Sequence, residues 1–183
     1  MENVSIFPHP IKNNNPLINK INKFQTINNR RKLIIGSYGF CLPNKGFIEL
    51  IKSIPLLKRA NLDFHINIYS SIYSKDYLYV YYDLIDLVKS LGVDNEVSIF
   101  KDYLSADQVQ NVLAQQDIIV FPYQSSNESS SAAVRDGLAS RKPVLVSPLP
   151  IFDDVSGLVD YLPGTTPNDI SLGLLNWLKY QRL

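Results

Sequence analysis

The sequence predicts an α/β protein built on one parallel β-sheet with helices on both faces. Two observations lead to this fold class. Short apolar segments recur between Leu33 and Ser147, and amphipathic segments with helical spacing separate them. Strands that are joined through helices run in the same direction and are buried on both sides, so the pattern indicates a doubly wound sheet. Ligand-binding residues are then expected in the loops at the carboxyl ends of the strands.

The predicted elements alternate along the chain without an internal repeat. Strands are predicted at residues 4–7, 33–38, 64–69, 97–100, 118–121 and 143–147. Helices are predicted at residues 46–59, 77–91, 105–115, 130–140 and 169–180, and Gly92 follows the second of them as a typical helix end. The sheet is therefore expected to contain about six strands.

The regular pattern begins only after an asparagine-rich segment. Residues 1–31 contain one short apolar strand, two prolines soon after it and many asparagines, which is typical of a connector. We therefore divide the chain into a strand with a connector, residues 1–31, and one domain, residues 32–183. A total length of 183 residues suits a single domain.

Composition and charge exclude several classes of protein. The chain is 45% hydrophobic and 19% charged, with a net charge of +1, which is typical of a globular domain and not of a disordered or fibrous chain. A near-neutral charge argues against nucleic-acid binding, because neutralising phosphates needs a dense basic face. No apolar run approaches the ~20 residues of a membrane span. We expect a cytoplasmic protein without direct membrane insertion.

Metal and disulfide chemistry have little support in the sequence. Cys41 is the single cysteine, so no intramolecular disulfide is possible. His9 and His65 are far apart, and neither has the spacing of a metal ligand. The serines lack the G-x-S-x-G context of a nucleophile, and His65 alternates with apolar residues as a structural histidine does. We expect no metal and no cofactor.

The first candidate site is the loop between the strand at 33–38 and the helix that follows. It contains Gly39, Phe40 and Lys45, with Lys45 close to the predicted start of the helix. A lysine together with the free N–H groups of a helix N-terminus suits a phosphate. The loop matches neither G-x-G-x-x-G nor the P-loop pattern. An ordinary turn with a solvated lysine is the alternative.

The second candidate site follows the strand at 118–121. Glu128, Ser129 and Ser130 precede a helix that carries Asp136, and carboxylates, hydroxyls and unpaired amides there suit an anionic or hydroxyl-rich ligand. At a helical rise of ~1.5 Å per residue, the two carboxylates would lie roughly 12 Å apart. This is wide for one catalytic pair, for which ~5–9.5 Å is usual, but it suits two contacts with one extended ligand. The alternative is a capped serine-rich turn and an exposed aspartate.

Taken in order, these segments resemble the C-terminal lobe of GT-B-fold glycosyltransferases of the family-4 type, the retaining glycosyl transferases group 1. The matching segments are residues 35–39 with Lys45-Gly46, 91–93 with 97–100, 117–122, Glu128 through 136–139, and 142–144. Together they cover residues 33–155. Residues 3–9 also resemble the last strand before that lobe.

The resemblance implies a Rossmann-like lobe that binds a nucleoside-diphosphate sugar without a metal. Lys45 corresponds to the phosphate-binding lysine, and Glu128 and Asp136 correspond to the E-x7-E pair. By this analogy Glu128 and Lys45 act on the donor sugar and its phosphates, and Asp136 holds the ribose. The amides near Ser129 and Ser130 hold the pyrophosphate. Gly39 and Phe40, and the loop with Lys101 and Asp102, lie against the donor and its base.

The sequence departs from the family pattern at three positions. Phe40 replaces an arginine, Asp136 is shorter than glutamate, and Arg141 replaces a glycine at a helix end. The family's N-terminal lobe, which binds the acceptor, has no counterpart in this sequence. We therefore expect a donor-binding lobe that is inactive alone and needs that lobe or a partner chain. Peripheral membrane association is common in the family. The alternative is a degenerate, non-catalytic lobe that binds a nucleotide or a partner.

Overall fold

The computed structural model describes residues 32–181 and contains one parallel sheet between two layers of helices. The strands are β1 (Leu33–Phe40), β2 (Phe64–Ser71), β3 (Val97–Phe100), β4 (Ile118–Phe121), β5 (Val144–Val146) and β6 (Asp160–Tyr161). The helices are α1 (Phe47–Arg59), α2 (Leu78–Leu91), α3 (Ala106–Ala114), α4 (Ala132–Ala139) and α5 (Pro167–Gln181). The strand order is β3-β2-β1-β4-β5-β6. The predicted fold class is confirmed.

The sixth strand is not the one that the sequence predicts. The strands predicted between residues 33 and 147 are confirmed, and β6 adds two residues that pair with β5. Both residues of β6 are exposed, so they carry no apolar signal by which a strand is recognised. The predicted strand at residues 4–7 and the connector up to residue 31 lie outside the described residues.

Two apolar clusters hold the helices on the sheet. One joins α1, α2 and α5 to the sheet, and the other joins α3 and α4 to it. Strand β4 contributes to both, with Ile118 and Val120 in the first cluster and Ile119 and Phe121 in the second. Successive side chains of a strand point to opposite faces, so β4 is buried on both sides at the centre of the fold.

The strand order places a crevice between β1 and β4. From β1 the chain continues to β2 and β3 on one side, whereas β4, β5 and β6 occupy the other. The pairing of β1 with β4 is limited to Ile35 with Ile118 and Gly36 with Ile119, although β1 runs on to Phe40. In sheets of this order, ligands bind beyond the carboxyl ends of the strands where the order reverses.

Within residues 32–181, a residue with left-handed backbone conformation follows three α-helices, and the first is Asn61, with φ 54°, after α1. Helix α2 ends at Gly92 with φ 61°, as predicted. After α4, Arg141 has φ 60°, so an arginine adopts here the left-handed conformation that usually requires a glycine. A non-glycine residue in this conformation costs ~1–2 kcal/mol, because its Cβ crowds the following carbonyl.

Replacing Arg141 with glycine is therefore expected to stabilise the protein. The Arg141→Gly variant should gain about 1 kcal/mol in the free energy of unfolding, or a rise of ~2–4 °C in Tm. Urea titration and thermal unfolding measure both quantities. Lys142→Gly, at the next position and without a positive φ, is the control and should gain nothing. Equal gains in both variants would contradict the backbone explanation.

Candidate functional site

A cleft of about 280 Å³ lies at the crevice between β1 and β4. Its walls come from the C-terminal ends of β1 and β2, from the loops that follow β1, β3 and β4, and from the N-terminal half of α4. Gly39 and Phe40, predicted to lie in a loop, are the last residues of β1. Five of the residues predicted from the sequence line this cleft, namely Gly39, Phe40, Lys45, Glu128 and Asp136. The two candidate sites of the sequence are therefore one site.

The other predicted residues lie outside the cleft lining. Lys101 points its Nζ towards the ring of Tyr81, 5.5 Å from the centroid. The carbonyl of Asp102 accepts a hydrogen bond of 3.0 Å from the hydroxyl of Ser71, and Ser71 does line the cleft. The loop after β3 instead contributes Tyr103, whose side chain is strongly exposed.

Lys45 is the cation among the described residues that line the cleft. It ends a 3₁₀ turn, Pro43–Lys45, and α1 begins only after Gly46. Its side chain is 9% exposed, so the alternative of a solvated lysine does not hold. Its Nζ lies 4.0 Å from Oε2 of Glu128 and 4.0 Å from the ring centroid of Tyr123. The ammonium thus faces a carboxylate and an aromatic face.

The loop that carries Lys45 is fixed to the loop after β4. The carbonyl of Asn44 accepts from the backbone N–H of Gln124 at 2.9 Å, and Nδ2 of Asn44 donates to the carbonyl of Ser125 at 3.0 Å. Gly46 has φ 74° and packs directly on the carbonyl of Pro122. Only a glycine fits at this contact, and the contact sets the position of Lys45 relative to Glu128.

Helix α4 begins two residues later than predicted. Its cap is Ser131, whose Oγ accepts from the N–H of Val134 at 3.3 Å. Consequently the first helical amides belong to Ala132 and Ala133, which line the cleft, and not to Ser129 and Ser130. The amides of a first helical turn have no partner within the helix, so they are the donors available to an anion.

The helical estimate does not apply to the separation between Glu128 and Asp136. Residues 128–131 are not helical, so the helical rise does not apply to the whole span, and both carboxylates line the same cleft. Glu128 is 67% exposed. Burial, and to a smaller extent the nearby Asp136 carboxylate, raises the pKa of the Tyr38 hydroxyl to about 12. Tyr38 lines the cleft, so at neutral pH its protonated hydroxyl can donate a hydrogen bond there.

Arg135, a buried residue next to the cleft-lining Asp136, is not among the residues predicted from the sequence. Its side chain is 5% exposed and forms an ion pair with Asp154. It also donates to the carbonyl of Ser131 at 3.0 Å. These contacts fasten the capping residue of α4 to the turn Pro150–Val155. No sequence pattern marks Arg135, because its partner comes from another loop.

The described residues contain neither a cluster of metal-binding side chains nor a helix that could cross a membrane. Within residues 32–181, no group of three or more His, Cys, Asp or Glu side chains is placed to hold a metal ion. No helix in the same range is both long and apolar enough to cross a membrane.

Comparison with known families decides the identity of the lobe. Residues 19–158 match the family model described as glycosyl transferases group 1, which is more than half of the chain. The chain belongs to this family. The resemblance inferred from the sequence is therefore confirmed, and the chain is a glycosyltransferase domain. A comparison with curated proteins gives no match.

Solved structures share the fold of this glycosyltransferase domain at low sequence identity. A glycosyltransferase from Rickettsia africae is 16% identical with a TM-score of 0.65, over 83% of this chain and 38% of that one. HepE from Anabaena, solved with UDP and glucose, is 13% identical with a TM-score of 0.67, over 82% and 40%. A UDP-forming trehalose-phosphate synthase from Burkholderia xenovorans is 10% identical with a TM-score of 0.71, over 82% and 38%. This chain thus spans about two fifths of the length of these relatives.

Proposed function

We propose that the cleft binds a nucleoside-diphosphate sugar and that the domain is the donor-binding lobe of a retaining glycosyltransferase. The observation that carries the proposal is the placement of a buried lysine and a helix N-terminus in one cleft at the strand-order reversal. Such a cleft suits a phosphate. The family match and the UDP and glucose held by HepE support a nucleotide-linked sugar as the ligand.

In this proposal, each group of cleft residues contacts a different part of the ligand. Lys45 and the amides of Ala132 and Ala133 contact the phosphates, where negative charge grows as the sugar leaves. A preorganised cation and fixed dipoles stabilise such a developing charge. Glu128 accepts hydrogen bonds from the sugar hydroxyls, and Asp136 accepts from the ribose. No metal ion is required in this scheme, so donor binding should persist in EDTA.

Transfer itself is proposed to need a second lobe. Phe40 takes the place of an arginine in the family pattern, and it is exposed at the rim of the cleft. Among the described residues that line the cleft, Lys45 is therefore the one cationic side chain that could contact a diphosphate. We propose that an N-terminal lobe, from a longer chain or a partner, supplies the acceptor site and the opposite wall. We therefore expect no glycosyl transfer by the isolated domain. The cytoplasmic location predicted from the sequence stays a prediction.

One observation favours the second candidate function, a non-catalytic lobe that binds a partner. Phe40 and Tyr73 are 43% and 67% exposed, and their ring centroids are 5.2 Å apart. Exposed aromatic pairs are common at protein interfaces. In this second function the aromatic pair contacts another protein, and the adjoining cleft, which Phe40 lines, no longer binds a nucleotide sugar.

Calorimetric titration with UDP, GDP, ADP and their glucose conjugates separates the two functions. One conjugate should bind, and Lys45→Ala should weaken it by at least about tenfold, since hydrogen bonds to charged groups are worth ~1.5–3 kcal/mol. Glu128→Gln should remove the preference for the conjugate over the bare diphosphate. The exposed residues Lys89 and Asp83 supply the controls, Lys89→Ala and Asp83→Asn, which should bind normally. If no ligand binds at millimolar concentration, the partner-binding function replaces the proposed one.

A further inference from the structure

Tyr123 contacts both halves of the anion-binding arrangement. Its ring lies under Nζ of Lys45, 4.0 Å from the centroid. Its hydroxyl lies 3.2 Å from Oγ of Ser131, which caps α4. The lysine follows β1 and the cap follows β4, so these two elements meet on one side chain.

The ring of Tyr123 is itself held in place. Tyr123 is 1% exposed, and its ring centroid lies 6.3 Å from that of Phe121 and 5.2 Å from that of Phe152. A buried ring that is packed by two others has a fixed orientation. The face that it presents to Lys45 is therefore constant.

The other partner of Lys45 constrains the ammonium less. Glu128 is 67% exposed, and its Oε2 lies 4.0 Å from Nζ. A pair with an exposed carboxylate in such loose geometry contributes little, and the proposed function requires Glu128 to contact the sugar. An ammonium over a desolvated aromatic face is attracted more strongly.

We infer that Tyr123 is a positioning residue that aims the Lys45 ammonium and the N-terminus of α4 at the same ligand group. The ring holds the ammonium while Glu128 contacts the ligand, and the hydroxyl holds Ser131. The phosphate affinity in this inference rests on the proposed function, whereas the placement of Lys45 does not.

Lysine NMR tests the placement of Lys45 without any ligand. In protein labelled with 13C at the lysine ε position, the Lys45 signal is assigned by its loss in Lys45→Arg. Protons over a ring face are shielded, so this signal should lie upfield of the other lysine signals. Tyr123→Phe keeps the ring and should keep the shift, whereas Tyr123→Leu should abolish it. An unshifted wild-type signal, or a shift retained in Tyr123→Leu, would overturn the inference.

Affinity for UDP tests the consequence for the site. Tyr123→Leu should weaken UDP binding about tenfold, which a partly desolvated cation–π contact accounts for, and Tyr123→Phe should weaken it only a few-fold. Trp177→Leu, which loosens aromatic packing in the other apolar cluster and lies outside the cleft lining, is the control and should bind UDP normally. Equal weakening in Trp177→Leu would show that the loss in Tyr123→Leu comes from general loosening of the core. If the wild-type chain binds GDP or ADP and not UDP, that diphosphate replaces UDP in the comparison. Failure with all three would count against the proposed function, while the lysine signal would still decide the role of Tyr123.

Discussion

The Gly46→Ala variant is expected not to fold stably. A methyl group at position 46 would lie 1.7 Å from the carbonyl oxygen of Pro122, and φ 74° is itself strained for alanine. The loops that carry Lys45 and Gln124 would have to separate, with loss of the hydrogen bonds of Asn44. We expect the free energy of unfolding to fall by more than about 4 kcal/mol, out of a total of ~5–15 kcal/mol for a typical domain. Urea unfolding and the yield of soluble protein measure the loss.

Gly92 offers a matched control for this substitution. Its φ is 61°, and a methyl group there would meet no atom within 4 Å. Gly92→Ala therefore carries the backbone strain alone and should cost ~1–2 kcal/mol. The difference between the two variants isolates the contact with Pro122. Similar losses in Gly46→Ala and Gly92→Ala would show that this contact contributes nothing.

The second large effect is expected from Asp154→Ala. This change removes a carboxylate that pairs with Arg135, whose side chain is only 5% exposed. Breaking a buried ion pair from one side costs ~3–5 kcal/mol, because the remaining charge stays buried. Asp154 is 25% exposed, so water can enter and the expected cost lies near the lower end, about 3 kcal/mol. Denaturant titration gives the value directly.

Asp153→Ala is a control that distinguishes loss of the Arg135–Asp154 ion pair from a general effect of removing a negative charge. Asp153 is exposed, and Asp153→Ala should change the free energy of unfolding by no more than ~0.5 kcal/mol. Asp154→Asn keeps a hydrogen-bond acceptor for Arg135 and should fall between the two alanine variants. A loss in Asp153→Ala as large as that in Asp154→Ala would contradict the explanation from the buried guanidinium.

Local pattern predicts most of this fold because most elements carry their own apolar signal. Strand β4 is buried on both faces and reads as a continuous apolar run. Strand β6 has no such run and exists only through its pairing with β5. Its formation depends on tertiary context that no short window of sequence contains.

In the candidate site, too, some features can be predicted from local sequence and others depend on tertiary contacts. The sequence singles out Lys45, Glu128 and Asp136 because they lie at recognisable places relative to predicted strands and helices, and all three line one cleft. The choice of Ser131 over Ser129 or Ser130 as the cap was not predictable, since each serine is chemically suitable. In the structure Ser131 is the one of the three whose hydroxyl contacts the buried hydroxyl of Tyr123. The sequence offers one signal for the contact between Tyr123 and Ser131, namely a tyrosine that follows a buried strand and a proline.

The balance of charges in the cleft also affects how a ligand arrives. Among the described residues that line it, one ammonium, from Lys45, stands beside the carboxylates of Glu128 and Asp136. Clefts lined by charges of one sign attract oppositely charged molecules and speed their association, and salt screens this attraction, with a Debye length of ~8 Å at physiological salt. This cleft has two carboxylates against one ammonium, so it exerts no such attraction on an anion. The association rate of a polyanionic ligand should therefore not fall as ionic strength rises.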